Sequence, residues 1–456
     1  VENANPFPEG CETMDRIKIV MVGGGSVSWT PNIVRDMLLT PALSNAEIVL
    51  LDIDAKAVAL TSAFLQKLAG ELGVSPRITA ATRLDALKGA QYVIITISTG
   101  GFDAMGRDLA IPEKFGIYHT VGDTSGPGGW ARLIRNFDVF VGLAKAINTY
   151  APGAFVLNYT NPMTTLTDVL ARLCKGPVIG LCHGLFENLA LIKRLYKLKG
   201  EEEIAVKYAG LNHFFWITEA RAGTVDVLAD CAKRLKKQGF TELLKEAYAD
   251  QMGFKSKREV ATELFHQTGV MPYLGDRHTS EFFPWYITDP KNLAAYKLVR
   301  TTIAERKAGK RRGAARLKEM IRGPIPEAYK KRTRETAADI ISAHSQGHAF
   351  TDVGNVPNIG QIANLPRGLV VETAVRVDRT GVTPIAFGDL PPAVLGFVAP
   401  YAHVFPALVD ACFRKDKKQA LLALRLDPVC SRLNGKQVRQ MGEKLLAAHK
   451  PFITAF

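Results

Sequence analysis

A run of glycines, Gly23-Gly24-Gly25-Ser26, directly follows the apolar stretch 17–22. Glycines there let a backbone come close to a pyrophosphate, and the helix expected next would aim its N–H groups at the same charge. Asp52 follows at about the ~20-residue spacing expected of an acid that reads a ribose hydroxyl. An acid in that place favours NAD over its phosphorylated form, and Asp54 is the weaker alternative. Ser28 stands where a third glycine or alanine is usual. The residues placed around this cofactor are Gly23, Gly25, Ser26, Val27, Asp52, Thr99 and Asn158.

Three further segments carry chemistry. Gly180-Leu181-Cys182-His183-Gly184 closes a strand, and Gly210-Leu211-Asn212-His213 comes later. A thiolate and an imidazole suit a borderline divalent metal, so Cys182 and His213 are candidate ligands; singly, each is more often a core residue. Asn158-Tyr159-Thr160-Asn161-Pro162 can point an amide, that of Asn161, at substrate hydroxyls or simply form a turn. The segment from Gly275 to Tyr286 crowds Asp276, Arg277, His278, Glu281 and Tyr286 together, which suits proton transfer and anion binding as well as an exposed ion-paired loop.

The elements that must position these groups follow from periodicity. Strands are expected at 17–22, 47–52, 91–97, 154–158 and 178–182, with helices at 32–39, 55–72, 130–149 and 164–174. Strand–helix alternation predicts a parallel sheet of Rossmann type, with ligands at its carboxyl edge. From about residue 195 long helical stretches with a few strands take over. The expected fold is therefore α/β: an extension at 1–15, a nucleotide-binding domain at 16–195, and a mixed α+β domain at 196–456 for substrate, metal and oligomer contacts.

Composition bounds the function. The 456 residues carry a net charge of +14, with basic residues dense between Lys297 and Arg334. A solvated helix face explains such a run first, attraction of an anionic small molecule second. No nucleic-acid motif accompanies it, so nucleic acid is not an expected partner. No stretch reads as approaching the ~18 apolar residues of a membrane span, and no signal peptide is seen before Met14. Six scattered cysteines without a CxxC pair point to reduced thiols and a cytoplasmic location.

Taken in order, the motifs resemble glycoside hydrolase family 4, the NAD- and metal-dependent glycosidases, in its Cys-His-Gly subgroup or a close relative. The resemblance runs through Gly23-Gly24-Gly25-Ser26 with Thr30-Pro31, Asp52-Ile53-Asp54, Gly100-Gly101, Ile111-Pro112 with Gly116, and Gly126-Pro127-Gly128-Gly129. It continues in Asn161-Pro162-Met163, Cys182-His183-Gly184 and Gly210-Leu211-Asn212-His213. It ends in Asn355-Val356-Pro357-Asn358-Ile359-Gly360, Leu365-Pro366, Val371-Glu372 and Gly388-Asp389-Leu390-Pro391, covering nearly the whole chain.

The resemblance implies oxidation of a sugar at C3 by NAD, loss of the C2 proton, elimination of the aglycone, water addition and return of the hydride. It implies a divalent metal, manganese first, on Cys182 and His213. Asn161 would bind substrate, and His183 would bind a hydroxyl or protonate the leaving group. Asp276, Glu281 and Tyr286 are the choices for the C2 base, Asp276 first. Ser98 and Thr99 replace the arginine that phospho-sugar members carry, which lowers the odds of a 6-phosphate. The expected substrate is an acidic α-glycoside, a hexuronide before a sulfonated hexoside, with Arg277 or Arg300 on its anion. A homodimer or homotetramer is expected. The rivals are a lactate/malate-type 2-hydroxyacid dehydrogenase, which would consume NAD stoichiometrically, and a non-catalytic NAD sensor, which would not need Cys182 and His213.

Overall fold

Six short apolar stretches of the first 180 residues become parallel strands: β1 (Lys18–Val22), β2 (Glu47–Leu51), β3 (Arg77–Ala81), β4 (Tyr92–Ile95), β5 (Phe155–Asn158) and β6 (Val178–Gly180). They lie in the order β6-β5-β4-β1-β2-β3, the doubly wound order, so the chain reverses direction across the sheet between β1 and β4. β1 and β4 are buried almost throughout, as strands covered on both faces must be. The computed structural model describes residues 16–248, 257–454 and 456. The extension 1–15, with Met14 and Cys11, lies outside the described residues.

The second half adds β7 (Ile204–Leu211), β8 (Phe214–Ala222), β9 (Val225–Asp226), β10 (Met271–Pro272), β11 (Phe350–Pro357), β12 (Val370–Asp378) and β13 (Gly381–Pro384). These do not form a separate sheet. β11 pairs antiparallel with β6 through Asn355 and Gly180, then β12, β7, β8 and β10 follow. One 13-stranded sheet therefore runs through residues on both sides of position 195. The seam is tight, since a Cβ on Gly180 would lie 2.9 Å from Asn355 Cβ.

Helices cover both faces. Gly126–Tyr150, Met163–Leu173 and Pro392–Phe413 supply residues to the core on one side. Thr30–Leu38, Ala55–Leu72, Ile303–Arg322 and Ala337–Gln346 supply those on the other. Ala55–Leu72 has the bounds expected from its pattern. The Asp54 carboxylate accepts from Lys56 N and Ala57 N at its start, and Gly73 ends it at φ +68°.

Three differences from the sequence expectation stand out. β3 was not expected; its segment Arg77-Ile78-Thr79-Ala80-Ala81 is a sheet edge with one fully buried residue, Ile78, and so has little apolar signal. The Gly101–Glu113 helix was not among the expected elements. The 22-residue Pro392–Phe413 helix, with mean hydropathy 1.5 in its best window, is long and apolar enough to cross a bilayer, contrary to the expectation. Its Tyr401, Phe405, Leu408 and Val409 are buried in the core here, and Tyr401 donates to Phe282 O at 2.6 Å.

Candidate active site

The carboxyl edge of the parallel strands forms a cradle without side chains. Gly23 N and Gly24 N both donate to Leu51 O, at 2.8 and 3.0 Å, which turns the chain off β1. Gly23 has φ +95°, and a Cβ there would lie 2.6 Å from Thr96 O. A Cβ on Gly24 would lie 2.7 Å from Leu50 Cβ, and one on Gly25 2.9 Å from Asp52 Oδ2. Asp52 Oδ2 accepts from Gly25 N at 2.9 Å, and Oδ1 accepts from Asp54 N. The Thr30–Leu38 helix that follows has no acid in its first turn, so its own sequence leaves its positive end uncompensated. These residues fit a dinucleotide. Ser28 is exposed and its carbonyl takes Asn32 Nδ2, so the close approach to β2 that a small residue normally provides is made by Gly24 instead.

The other cofactor candidates surround this turn to different degrees. Ser26 Oγ accepts from Trp29 N, and Val27 lies under Gly313 of the Ile303–Arg322 helix. Thr99 N donates to Asn136 Oδ1, while Thr99 O accepts from Arg135. Asn158 is fully buried, and its amide is spent on Thr160 and Thr167, which makes the turn after β5.

A polar cluster lies at the other end of the site. β7 and β8 are joined by the two residues Asn212 and His213, the latter at φ +61°. Phe214 at the start of β8 stacks on Phe282 with centroids 4.1 Å apart, a pair that contributes about 1 kcal/mol beyond its buried area and fixes the turn. His213 Nδ1 is 2.9 Å from Thr124 Oγ1, and its ring centroid is 3.9 Å from that of His278. Ligand atoms of Asp123, His213 and His278 lie within 4.8 Å of one another. Burial alone would raise the Asp123 carboxyl, but His278, Arg132, His213 and Arg306 hold it well below its ordinary value. Burial, with His278 beside it, drives His213 well below the usual histidine range. A carboxylate beside two imidazole rings is a donor set that fits a divalent cation.

The loop carrying Asp123 is held by Glu281. Its buried carboxylate accepts from Val121 N at 2.7 Å, Gly122 N at 2.8 Å and Thr120 Oγ1 at 3.1 Å, and lies 3.2 Å from His119 Nδ1. Burial raises this carboxyl, but His119 and the backbone amides lower it further.

The remaining candidates divide by where their side chains go. Asp276 is fully buried and accepts from Val260 N and Ala261 N at the start of the Glu259–Thr268 helix; burial pushes it up to about 7. Tyr286 is buried among Phe283, Trp285 and Tyr296, with its hydroxyl unpaired. Arg300 donates to His119 O and to Glu113 Oε2, which ties down the chain before the basic helix. Arg277 keeps a buried Nε with no partner. Asn161 keeps its buried Oδ1 unpaired while its carbonyl takes Arg132 Nε at 2.9 Å. His183 stacks on Trp29 at 5.0 Å and 8°, and its Nε2 is 2.5 Å from Glu335 Oε1.

Cys182 Sγ accepts from Gly184 N at 3.4 Å and is not in the 4.8 Å group with His213. Burial and the nearby Glu372 push its thiol well above the ordinary value, a preference that a bound cation reverses. Beside it, Glu372 Oε2 accepts from Asn212 Nδ2 and Asn355 Nδ2, at 3.0 and 2.9 Å, while Glu372 Oε1, Asn212 Oδ1 and Asn355 Oδ1 have no partner. Asp123 and Arg306 were not picked out from the sequence as site residues, and His278 was named only within the crowded segment from Gly275 to Tyr286. Asp123 sits in the glycine-rich segment that carried only the resemblance, and Arg306 was counted with the basic run.

Comparison with known proteins is consistent with this geometry. Models of the family 4 glycosyl hydrolase and of its C-terminal domain match residues 18–198 and 208–430. An α-galacturonidase of Bacillus subtilis is 36% identical over 432 residues, which cover 91% of this chain and 94% of the relative. A crystal structure described as a glucosidase, also from Bacillus subtilis, superposes with a TM-score of 0.85 at 32% identity, over 94% of this chain and 100% of the other. A 6-phospho-α-glucosidase from gut microorganisms, solved with NAD and Mn2+, shares the fold at a TM-score of 0.79 and 21% identity, over 96% and 99% of the two chains. This outweighs the dehydrogenase and sensor readings. The chain belongs to glycosyl hydrolase family 4, and it is a glycoside hydrolase.

Proposed function

We propose that the substrate is an α-glycoside of a hexuronic acid. One observation carries the reading. Arg277 and Arg306 each keep a buried Nε with no partner, and burial followed by the charge of Arg306 depresses Arg277. Two guanidiniums that repel one another, with donors unspent, form a site for a planar anion, and a carboxylate matches their fork geometry. The α-galacturonidase relative supports the same substrate class.

The bound cofactor and metal would supply hydride transfer and Lewis acidity. Gly23, Gly25 and Asp52 would hold the dinucleotide, and Asp123, His213, His278 and Cys182 would offer donors to the metal. Asn161, whose Oδ1 is unspent, would take a sugar hydroxyl. His183, held flat by Trp29 and Glu335, would present its ring to the leaving group. Five free cysteines among the described residues fit a reducing compartment.

The test is a pair of aryl α-glycosides, galacturonide and galactoside, with NAD and Mn2+. Arg306→Ala should lower kcat/KM for the galacturonide by about 100-fold, while the galactoside changes by less than about threefold. Equal losses, or a parent enzyme that prefers the neutral sugar, would sink the uronide reading.

A further inference from the structure

The last 26 residues, after the segment matched by the family models, have no place in the site described above. They nevertheless reach the loop that leaves β4. That loop borders the glycine turn: Thr96 Oγ1 lies 3.4 Å from Gly23 O, and Gly23 has no room for a Cβ against Thr96. Its far side rests on the chain's C-terminal segment. A Cβ on Gly100, which has φ +73°, would come within 2.8 Å of the Phe452 ring. His449, at the end of the Gly435–His449 helix, places Nε2 2.7 Å from Asp108 Oδ1. Asp108 Oδ2 in turn accepts from Arg135 Nη2 at 2.7 Å, and Arg135 Nη1 donates to Thr99 O at 2.6 Å. His449, Asp108 and Arg135 are all fully buried. Two more bonds fasten the segment from outside: Arg107 Nη1 to Ala448 O, and Thr454 N to Asp138 Oδ2.

A buried Asp108–Arg135 ion pair is costly unless its groups find partners, and here Arg135 spends Nη2 on Asp108 and Nη1 on one loop carbonyl. Phe452 fills the space that a side chain at position 100 would take. We propose that His449 and Phe452 are positioning residues for NAD: through Asp108, Arg135 and Gly100 they hold the Thr96–Gly101 loop against the glycine turn. The inference rests on the family's use of NAD and not on the uronide reading.

The experiment measures binding without any glycoside. NAD is titrated by quenching of intrinsic tryptophan fluorescence, and Mn2+ by its electron spin resonance signal. Phe452→Ala and His449→Gln should each raise the Kd for NAD about tenfold and leave that for Mn2+ within about twofold. Phe452→Leu, which keeps the bulk against Gly100, should stay within about threefold of the parent for NAD. Unchanged NAD affinity in both disruptive variants would overturn the proposal. So would parallel losses of NAD and Mn2+ affinity, since a general loosening of the fold, unlike a positioned loop, moves both.

Discussion

The glycine turn and the Asp123–His213–His278 cluster are built in opposite ways. The turn is made within one short segment, and what matters there is the absence of atoms: three positions where a Cβ would collide. The cluster is made of side chains that converge from distant segments; Thr124 and His213, in contact at 2.9 Å, are 89 residues apart. A backbone site is specified by local sequence, whereas a side-chain site is specified by the fold that gathers it.

That contrast can be broken at either end. The largest effect is expected for Gly23→Ala. The added Cβ meets Thr96 O at 2.6 Å, and φ +95° is strained for alanine. NAD affinity should fall about 100-fold, with Mn2+ affinity within about twofold. A Mn2+ loss of equal size would show that the two regions are not independent.

Glu281→Gln probes the other side. The amide keeps the oxygen that takes Val121, Gly122 and Thr120, but it puts an NH2 where Oε2 accepts from Gly122 N at 3.1 Å and removes the charge beside His119, so the loop with Asp123 should loosen. Stability should drop by about 2–3 kcal/mol, and Mn2+ affinity about tenfold, with NAD binding unchanged. Retained stability and Mn2+ binding with a shifted pH–rate profile would instead make Glu281 a proton-transfer group.

A third test sharpens the comparison through pH. Burial raises Glu372 from an ordinary 4.5 to about 7. Between those values the folded protein keeps a proton that the unfolded chain has released, so stability falls as pH rises through the window. Glu372→Gln should remove that fall, by at most roughly 3 kcal/mol at pH 8, and change little at pH 5. Gln also offers an N–H pair to the orphaned Asn212 and Asn355 oxygens. Urea unfolding at the two pH values measures it.

How far the sequence could be read follows the same division. The glycine turn, Asp52 and the Ala55–Leu72 helix were legible because spacing and caps are local. His213 was legible through its neighbours in the motif. His278 was visible in a crowded segment but carried no sign that its ring would meet His213. Arg306 looked like its exposed neighbours Lys307 and Lys310, because a charge run hides which turn of the helix faces inward. Asp276 and Arg300 look like chemistry in sequence, yet their visible bonds are to backbone amides, a carbonyl and Glu113. Sequence shows the residue type, while the bonds a side chain has already made are visible only after folding.

The seam at Gly180 and Asn355 bears on how such enzymes can be recombined. Because the strands before and after residue 195 share one hydrogen-bonded sheet, the two halves of the chain are not interchangeable cassettes. A donor half with another specificity would have to match register across β6 and β11 and present no bulk at 180. Grafts that swap only the helices lying above the sheet leave that joint untouched.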